Sequence, residues 1–258
     1  MLLELYKHRR YIWNNACNEL RYRYAGTGLG ALWNILNPLF EIVVYGGVFS
    51  LIFPTGVRGG SYLVFLIAGW IPWRTFLDAI SQGSNAFVEN TNYLKRLAIP
   101  TEVFVARSAM LSMLLLAIYL LLLLPITAVI EQLSIGWHLL GLPLLGLMLQ
   151  SLGFGLALIL AHFRALFPDI KELLNKALSL WRWTLPIIYP DTIVPEHLRP
   201  WFYLNPPYAF IESIRNLILD QALPTFWQWA TMLLWLTVIL GLGFIINRNL
   251  QFEVRDYL

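Results

Sequence analysis

The sequence predicts an all-α integral membrane protein with six transmembrane helices, and three observations carry that expectation. Of its 258 residues, 58% are hydrophobic and only 13% are charged, against roughly 25% charged in a soluble domain. Several apolar runs are long enough to cross a hydrocarbon layer of about 30 Å at about 1.5 Å per helical residue, and some are apolar all round. The lysines and arginines, finally, gather on one side of those runs. No polar stretch approaches the roughly 50 residues a separate soluble domain needs. Residues 1–258 therefore read as one membrane domain, with an N-terminal interfacial helix in 1–30, a six-span bundle in 31–246 and a cytoplasmic tail in 247–258.

Leu2 to Ala25 mixes rings with bases: Tyr6, Lys7, Arg9, Arg10, Tyr11, Trp13, Arg21, Tyr22, Arg23 and Tyr24. Leu5, Ile12, Trp13, Ala16 and Leu20 recur at mixed helical steps, as in a helix lying in the membrane interface with its basic face toward headgroups. A disordered basic tail is the alternative, and the aromatic content argues against it. Gly26 to Gly30 (GTGLG) then turns the chain toward the bilayer. The polar and aromatic residues ahead of the first long apolar run are too many for the n-region of a cleavable signal, so that run is expected to stay in the mature protein.

The first span is expected at Leu32–Phe53, interrupted by Asn37-Pro38 and carrying Glu41. The second is expected at Tyr62–Phe87, with Pro72, Arg74 and Asp78 inside it, and the third at Val103–Ile130. The fourth follows at Trp137–Phe163, the fifth at Leu173–Ile188 and the sixth at Phe226–Ile246. Six spans put both termini on one side, and the cations choose it. A cytoplasmic N-terminus places Lys7, Arg9, Arg10, Arg21, Arg23, Lys95, Arg96, Arg107, Arg164, Lys171, Lys176, Arg248 and Arg255 at the inner side. Only Arg58, Arg199 and Arg215 fall outside, with Arg74 and Arg182 inside spans. Thirteen against three is the asymmetry that basic cytoplasmic loops produce.

Two connections stand out. Asn92 to Glu102 (NYLKRLAIPTE), between spans two and three, holds Lys95 and Arg96 with no acidic residue between them. Pro100 then opens the next helix, and Glu102 sits in its first turn, where a carboxylate suits the positive end of the dipole. Such a short, basic element is where a soluble partner could push on the membrane part; a plain connecting loop is the alternative. The second connection, Tyr189 to Thr225, is rich in proline and aromatic residues, and Pro190, Pro195, Pro200, Pro206 and Pro207 exclude one continuous helix. A short helix over Tyr208–Leu219 is expected after Asn205-Pro206-Pro207. Irregular backbone near membrane depth survives only when buried in protein or lining a wet cavity. The segment therefore reads as a re-entrant or interfacial lid on the outer side, with an ordinary external loop as the alternative.

Taken in order, RYRYAGTGLGALWNILNPLFEIVVYGGVFS (Arg21 to Ser50), AGWIPWRTF (Ala68 to Phe76) and NAFVENTNYLKRLAIPTEVF (Asn85 to Phe104) resemble the membrane subunit of ABC-2 type polysaccharide exporters. Phe163-Arg164 with Asp169, LPIIYP (Leu185 to Pro190) and NPPYAFIESIRNLIL (Asn205 to Leu219) continue the series over nearly the whole chain. The resemblance implies a homodimer around a channel in the bacterial inner membrane, docked by a pair of ABC ATPase subunits and carrying lipid-linked O antigen, capsular or teichoic-acid-type polymers. It places Glu89, Asn90, Tyr93, Leu94, Lys95 and Arg96 at the ATPase-coupling segment; the reading of the second connection from its own residues puts Pro190, Pro195, Asn205, Pro206, Tyr208 and Arg215 in the external lid. One departure matters: the family's Arg-Asp pair after span four is usually adjacent, whereas here four residues separate Arg164 from Asp169, so a paired role does not carry over.

The residue chemistry agrees. There is no G-x-x-x-x-G-K-[ST] loop, so ATP and Mg belong to a partner and no cofactor is expected in this chain. Neither H-E-x-x-H nor G-x-S-x-G occurs, and His8, His138, His162 and His197 are scattered among termini and connections, where interfacial or solvated side chains are expected. Cys17 is alone, and no metal cluster or nucleic-acid partner is expected. Trp33, Trp73, Trp181 and Trp183 are candidates to line a sugar pathway, although Trp also anchors spans at interfaces. Glu41, Arg74, Asp78 and Arg182 keep an ion-coupled transporter in view, and export of a small drug or lipid is a further alternative.

Glu41 and Arg182 each lie about nine residues in from the cytoplasmic boundary, or roughly 14 Å deep. A lone charge there costs roughly 2.5–3.5 kcal/mol on the insertion scale, so each should face a partner or water. The sequence reading favours Glu41 with Arg182, within a subunit or across the dimer, because spans one and five border the channel in the resembled family. Arg74 is the competitor for Glu41, and a hydrated pathway is the alternative to pairing.

Overall fold

The computed structural model describes residues 1–53, 56–58, 60–96, 99–131 and 136–257. Leu97 and Ala98 of the basic connection, and Leu258 of the expected tail, lie outside the described residues. The helices in order are α1 (Leu2–Lys7), α2 (Arg9–Tyr22), α3 (Trp33–Ile52), α4 (Tyr62–Glu89), α5 (Thr91–Arg96), α6 (Thr101–Glu131), α7 (Gly141–Leu166), α8 (Ile170–Trp181), α9 (Tyr208–Arg215) and α10 (Phe226–Tyr257). No strand forms among the described residues. Five segments are long and apolar enough to cross a membrane: Gly30–Ile52, Tyr62–Glu89, Thr101–Glu131, Trp137–Leu166 and Phe226–Val254.

Helix α4 is apolar all round from Val64 to Trp73, and it sits in the middle. It packs against α6 and α7, while α3 lies on its other side, α10 backs onto α7, and α2 lies along α6. Small residues let these helices approach closely, the usual device where no hydrophobic effect drives association in lipid. A Cβ on Gly83 would fall 2.7 Å from the Cβ of Ala157, and one on Gly155 would fall 2.9 Å from Ile239 Cγ2.

Four expected spans correspond to long helices within a few residues, and three details differ from expectation. Helix α3 runs straight through Pro38 instead of being interrupted at Asn37-Pro38. Proline lacks the N–H that would bond the Asn34 carbonyl one turn back. The Tyr119 hydroxyl of α6 donates to that carbonyl instead, at 2.7 Å. The expected tail from residue 247 is also no separate element, since α10 continues to Tyr257. Asn247 is buried there, accepting from the Thr101 hydroxyl at 2.9 Å and donating to Glu102 at 3.1 Å. The third difference concerns the histidines: His138 and His162 are buried rather than interfacial. His162 falls on the face of α7 covered by α4, its ring 4.9 Å from that of Phe87.

The expected fifth span, Leu173–Ile188, is not one helix. Helix α8 has 12 residues, about 18 Å of rise, and carries Lys171, Glu172, Asn175 and Lys176 on its open side, with only Leu174 and Leu178 buried. One 3-10 turn follows at Arg182–Thr184, and Leu185 is extended at φ −123° and ψ 142°. Pro186 explains the break, because proline drives the residue before it out of the helical region. Yet the chain must pass from the bundle end that holds Thr101 and Ala165 to the end that holds Arg58 and the start of α10. It does so as α8 followed by a buried non-helical segment from Leu185 to Ile188, which turns at Pro186 and Ile187.

Arg215 makes that backbone tolerable. Buried carbonyls need partners, and the Arg215 guanidinium donates to Pro186 O at 2.6 Å and Ile187 O at 2.9 Å, while the Tyr62 hydroxyl donates to Ile188 O at 2.6 Å. Arg215 is 1% exposed and lies over the Phe65 ring at 3.9 Å. Gly69 makes room for it, since a Cβ there would stand 2.2 Å from Arg215 Nη2.

Candidate functional site: a charged and aromatic face on helices α3, α4 and α8

Residues four apart share one face of a helix. Helix α3 presents Glu41 and Tyr45 in this way, and α4 presents Trp70, Arg74 and Asp78. Packed side by side, the two helices set complementary groups against each other. Arg74 Nη1 forms an ion pair with Glu41 Oε1, and Trp70 Nε1 donates to Glu41 Oε2 at 3.1 Å. The Tyr45 and Trp70 rings stand 4.9 Å apart. Asp78 interacts electrostatically with Arg23 and Arg74.

Arg182 completes the face. Its guanidinium lies 5.5 Å from the Trp70 ring centre and 5.7 Å from that of Trp183, and Nη1 donates to the Tyr45 hydroxyl at 3.5 Å. Within the chain, then, Glu41 pairs with Arg74 and not with Arg182. Arg74 lies one turn beyond Trp70 on the side facing α3, whereas the break after α8 lays Arg182 onto the ring. The side chains of Arg74 and Glu41 remain 27% and 34% exposed. Charges half open at this depth do not suit lipid, so the face meets water, a solute or another chain. Replacing both Glu41 and Arg74 by Gln should destabilise the protein by about 1 kcal/mol less than the two single changes added together, the coupling of a contacting, half-exposed pair. Glu41→Gln and Arg182→Gln, which meet only through Trp70, should show a smaller coupling; thermal melting of the three single and two double variants in detergent checks both statements.

The other tryptophan candidates are placed differently. Trp73 is 1% exposed and meets Trp181 edge to face at 5.6 Å, while Trp33 opens α3, about two turns from Glu41. Trp181 Nε1 donates to Asn205 Oδ1 at 2.8 Å. Pro190 and Pro195 open two 3-10 segments. Pro206 lies in the turn before α9, and buried Tyr208 starts that helix against Phe202 and Tyr203. Arg58, in the α3–α4 connection, ties this region down through an ion pair with Glu212 and a 3.3 Å contact with Asp220. Burial alone would lower the Arg58 pKa; Glu212, with Asp191 and Asp220, outweighs burial and raises it, so the group stays charged. Sequence reading missed Tyr45, Trp70 and the Arg58–Glu212 contact. Only the four-residue spacing of Trp70, Arg74 and Asp78 would have signalled part of it.

At the opposite end, α5 carries the basic connection. Glu89 closes α4 within the field of Arg107, Glu19, Arg164 and Lys171. Asn90 caps α4, its amide donating to Ala86 O at 2.7 Å. Tyr93, Lys95 and Arg96 are exposed, while Leu94 is buried beside Phe87, Phe104 and Val254. Among the described residues no ion pair joins Arg164 to Asp169.

Five helices long and apolar enough to cross a membrane, two of them sharing a half-buried charged face, define an integral membrane protein. Residues 10–219 match the family model for the ABC-2 type transporter, and the chain belongs to that family. It is 26% identical over 226 residues to the O-antigen export system permease protein RfbA of Myxococcus xanthus, covering 87% of this chain and 86% of that one. A Klebsiella pneumoniae protein of the same name is 25% identical over 248 residues, covering 93% and 92%. The polysialic acid transport protein KpsM of Escherichia coli is 26% identical over 202 residues, 78% of each chain.

Proposed function

We propose that this chain is the permease subunit of an ATP-driven exporter that moves a lipid-linked polysaccharide, of O-antigen, capsular or teichoic-acid type, from the cytoplasmic side across the bacterial inner membrane. Two copies enclose the pathway, and a separate pair of ABC ATPase subunits binds ATP and Mg and docks from the cytoplasm. The observation that carries this reading is the half-exposed face of Glu41, Arg74, Arg182 and Trp183, backed by buried Trp70, in a chain aligned nearly end to end with permeases named for O-antigen export. Guanidinium and indole groups suit a phosphorylated, sugar-bearing substrate, because rings pack on sugar C–H faces and cations meet phosphate.

In this reading the chain crosses the membrane six times. Five crossings are the long helices, and the sixth is α8 with the non-helical segment to Pro190. Both termini are cytoplasmic, α1 and α2 lie along the inner interface, and the chain from Pro190 to Arg215 covers the outer end as a re-entrant lid. Arg96 and its neighbours on α5 receive the ATPase.

The complex purified with its ATPase should contain two copies of this chain by mass measurement in detergent, and a persistent one-to-one complex sinks the dimer. Reconstituted in vesicles, its ATP hydrolysis should rise with polyprenyl-linked polysaccharide. Stimulation by small amphiphiles or free lipid alone favours a drug or lipid exporter, and transport driven by an ion gradient without ATP overturns the reading.

A further inference from the structure

Between α8 and α9 the chain folds into an open bowl of about 630 Å³, within the range of about 300–1,000 Å³ usual for small-molecule sites. Four rings line it, from Trp181, Tyr189, Trp201 and Phe202, together with Thr184 and Asn205. We propose that this bowl is a sugar-binding subsite that holds a neutral ring of the polymer as it leaves the pathway; the inference rests on the polysaccharide-export reading above.

The chemistry of the lining selects the ligand. None of the lining residues is charged, so the bowl offers nothing to a phosphate and differs in kind from the Arg182 face. Its polar groups are few and held in place. Asn205 accepts from Trp181 Nε1 at 2.8 Å and donates to Thr184 Oγ1 at 2.9 Å, and Thr184 donates to Trp181 O at 2.8 Å. That arrangement leaves Asn205 one N–H and a carbonyl lone pair unused. Ring faces beside a fixed amide with spare donor and acceptor match a pyranose, which has an apolar C–H face and a hydroxylated edge. An acyl chain would leave the amide unmatched in an apolar contact.

Position supports the same occupant. Trp181 belongs to the bowl, directly precedes Arg182 of the charged face, and braces Trp73. The bowl and the charged face therefore adjoin at Trp181 and Arg182. Trp201 is 66% exposed, so the bowl is open to a large ligand. Its backing is rigid, since the segment before Tyr189 is fixed by Arg215 and Tyr62.

The test places a benzophenone-bearing phenylalanine at Leu198, which lines the bowl and is 44% exposed, and in a separate variant at Trp183. Both are irradiated in cells that make the native polymer together with the ATPase. The expected result is a polysaccharide adduct at Leu198, seen as a ladder that periodate destroys, and its severalfold loss on adding Asn205→Leu while the Trp183 adduct persists. Polymer captured at Trp183 but not at Leu198 overturns the subsite and leaves the export reading standing. Polymer captured at neither overturns both. Lipid or a second copy of this chain captured at Leu198 in place of polymer assigns the bowl to that occupant and overturns the subsite.

Discussion

Replacing Arg215 by methionine is expected to destabilise the protein by about 3 kcal/mol, the largest stability effect of any single change at the end of the bundle that holds Arg58 and the start of α10. Two opposing terms decide the size. Methionine removes a buried cation whose desolvation works against the folded state by several kcal/mol. It also strands the Pro186 and Ile187 carbonyls, and each hydrogen bond to a charged group is worth roughly 1.5–3 kcal/mol. Glu212 does not lose its only partner, because Arg58 still pairs with it. The stranded carbonyls dominate because the backbone there has no helical partner to fall back on, and removing one member of a buried charged contact costs about 3–5 kcal/mol in general. Arg215→Lys should recover little, since one ammonium on a flexible stem does not reproduce a planar fork reaching two successive carbonyls. Gly69→Ala should cost about 1–3 kcal/mol by pushing on the same guanidinium. The double variant should lose less than the sum of the two, because both act on one contact. Thermal melting in detergent reads all four; a melting temperature for Arg215→Met equal to the parent's refutes the bracing role.

The contrast between Arg215 and the long helices shows what is legible in a sequence. Hydropathy locates α3, α4, α6, α7 and α10 because each is a continuous apolar run, and the Asn205-Pro206-Pro207 signal locates the start of α9. It misjudges Leu173–Ile188 because a window average counts Leu185, Ile187 and Ile188 as helical, although they are buried in a non-helical turn of the chain. The partners of that backbone, Arg215 and Tyr62, lie 28 and 126 residues away, so no local pattern announces them. Pro38 fails as a breaker for the same reason, the Asn34 carbonyl that it strands being met by Tyr119, 85 residues on from Asn34. In the candidate site, depth counting brings Glu41, Arg74 and Arg182 to one level without selecting Arg74 as the partner of Glu41 within the chain. Depth is a one-dimensional coordinate, and the rotation of each helix about its axis, which selects the partner, is set by packing.

Changing Lys95 and Arg96 together to Glu is expected to abolish export while leaving the fold intact, the largest functional effect among these substitutions. Both side chains are exposed at the end of α5, and surface changes away from buried groups usually stay within about 0.5 kcal/mol of stability. A reversal of two charges would nevertheless repel an acidic docking partner that the native pair attracts. The geometry also says how a push there reaches the membrane part. Leu94, on the same six-residue helix, is 2% exposed and packed in one cluster with Phe87 of α4, Phe104 of α6, Ala165 of α7 and Val254 of α10. A force on Lys95 or Arg96 therefore moves a side chain seated in a cluster that four of the long helices build, including α4, which carries Trp70, Arg74 and Asp78. Leu94→Ala should accordingly weaken export while the ATPase still docks, whereas Lys95→Glu with Arg96→Glu should weaken docking itself. Co-purification of the ATPase, its hydrolysis rate and polymer at the cell surface separate the two. Undiminished export from the charge-reversed protein, with the ATPase still bound, refutes the coupling role of α5.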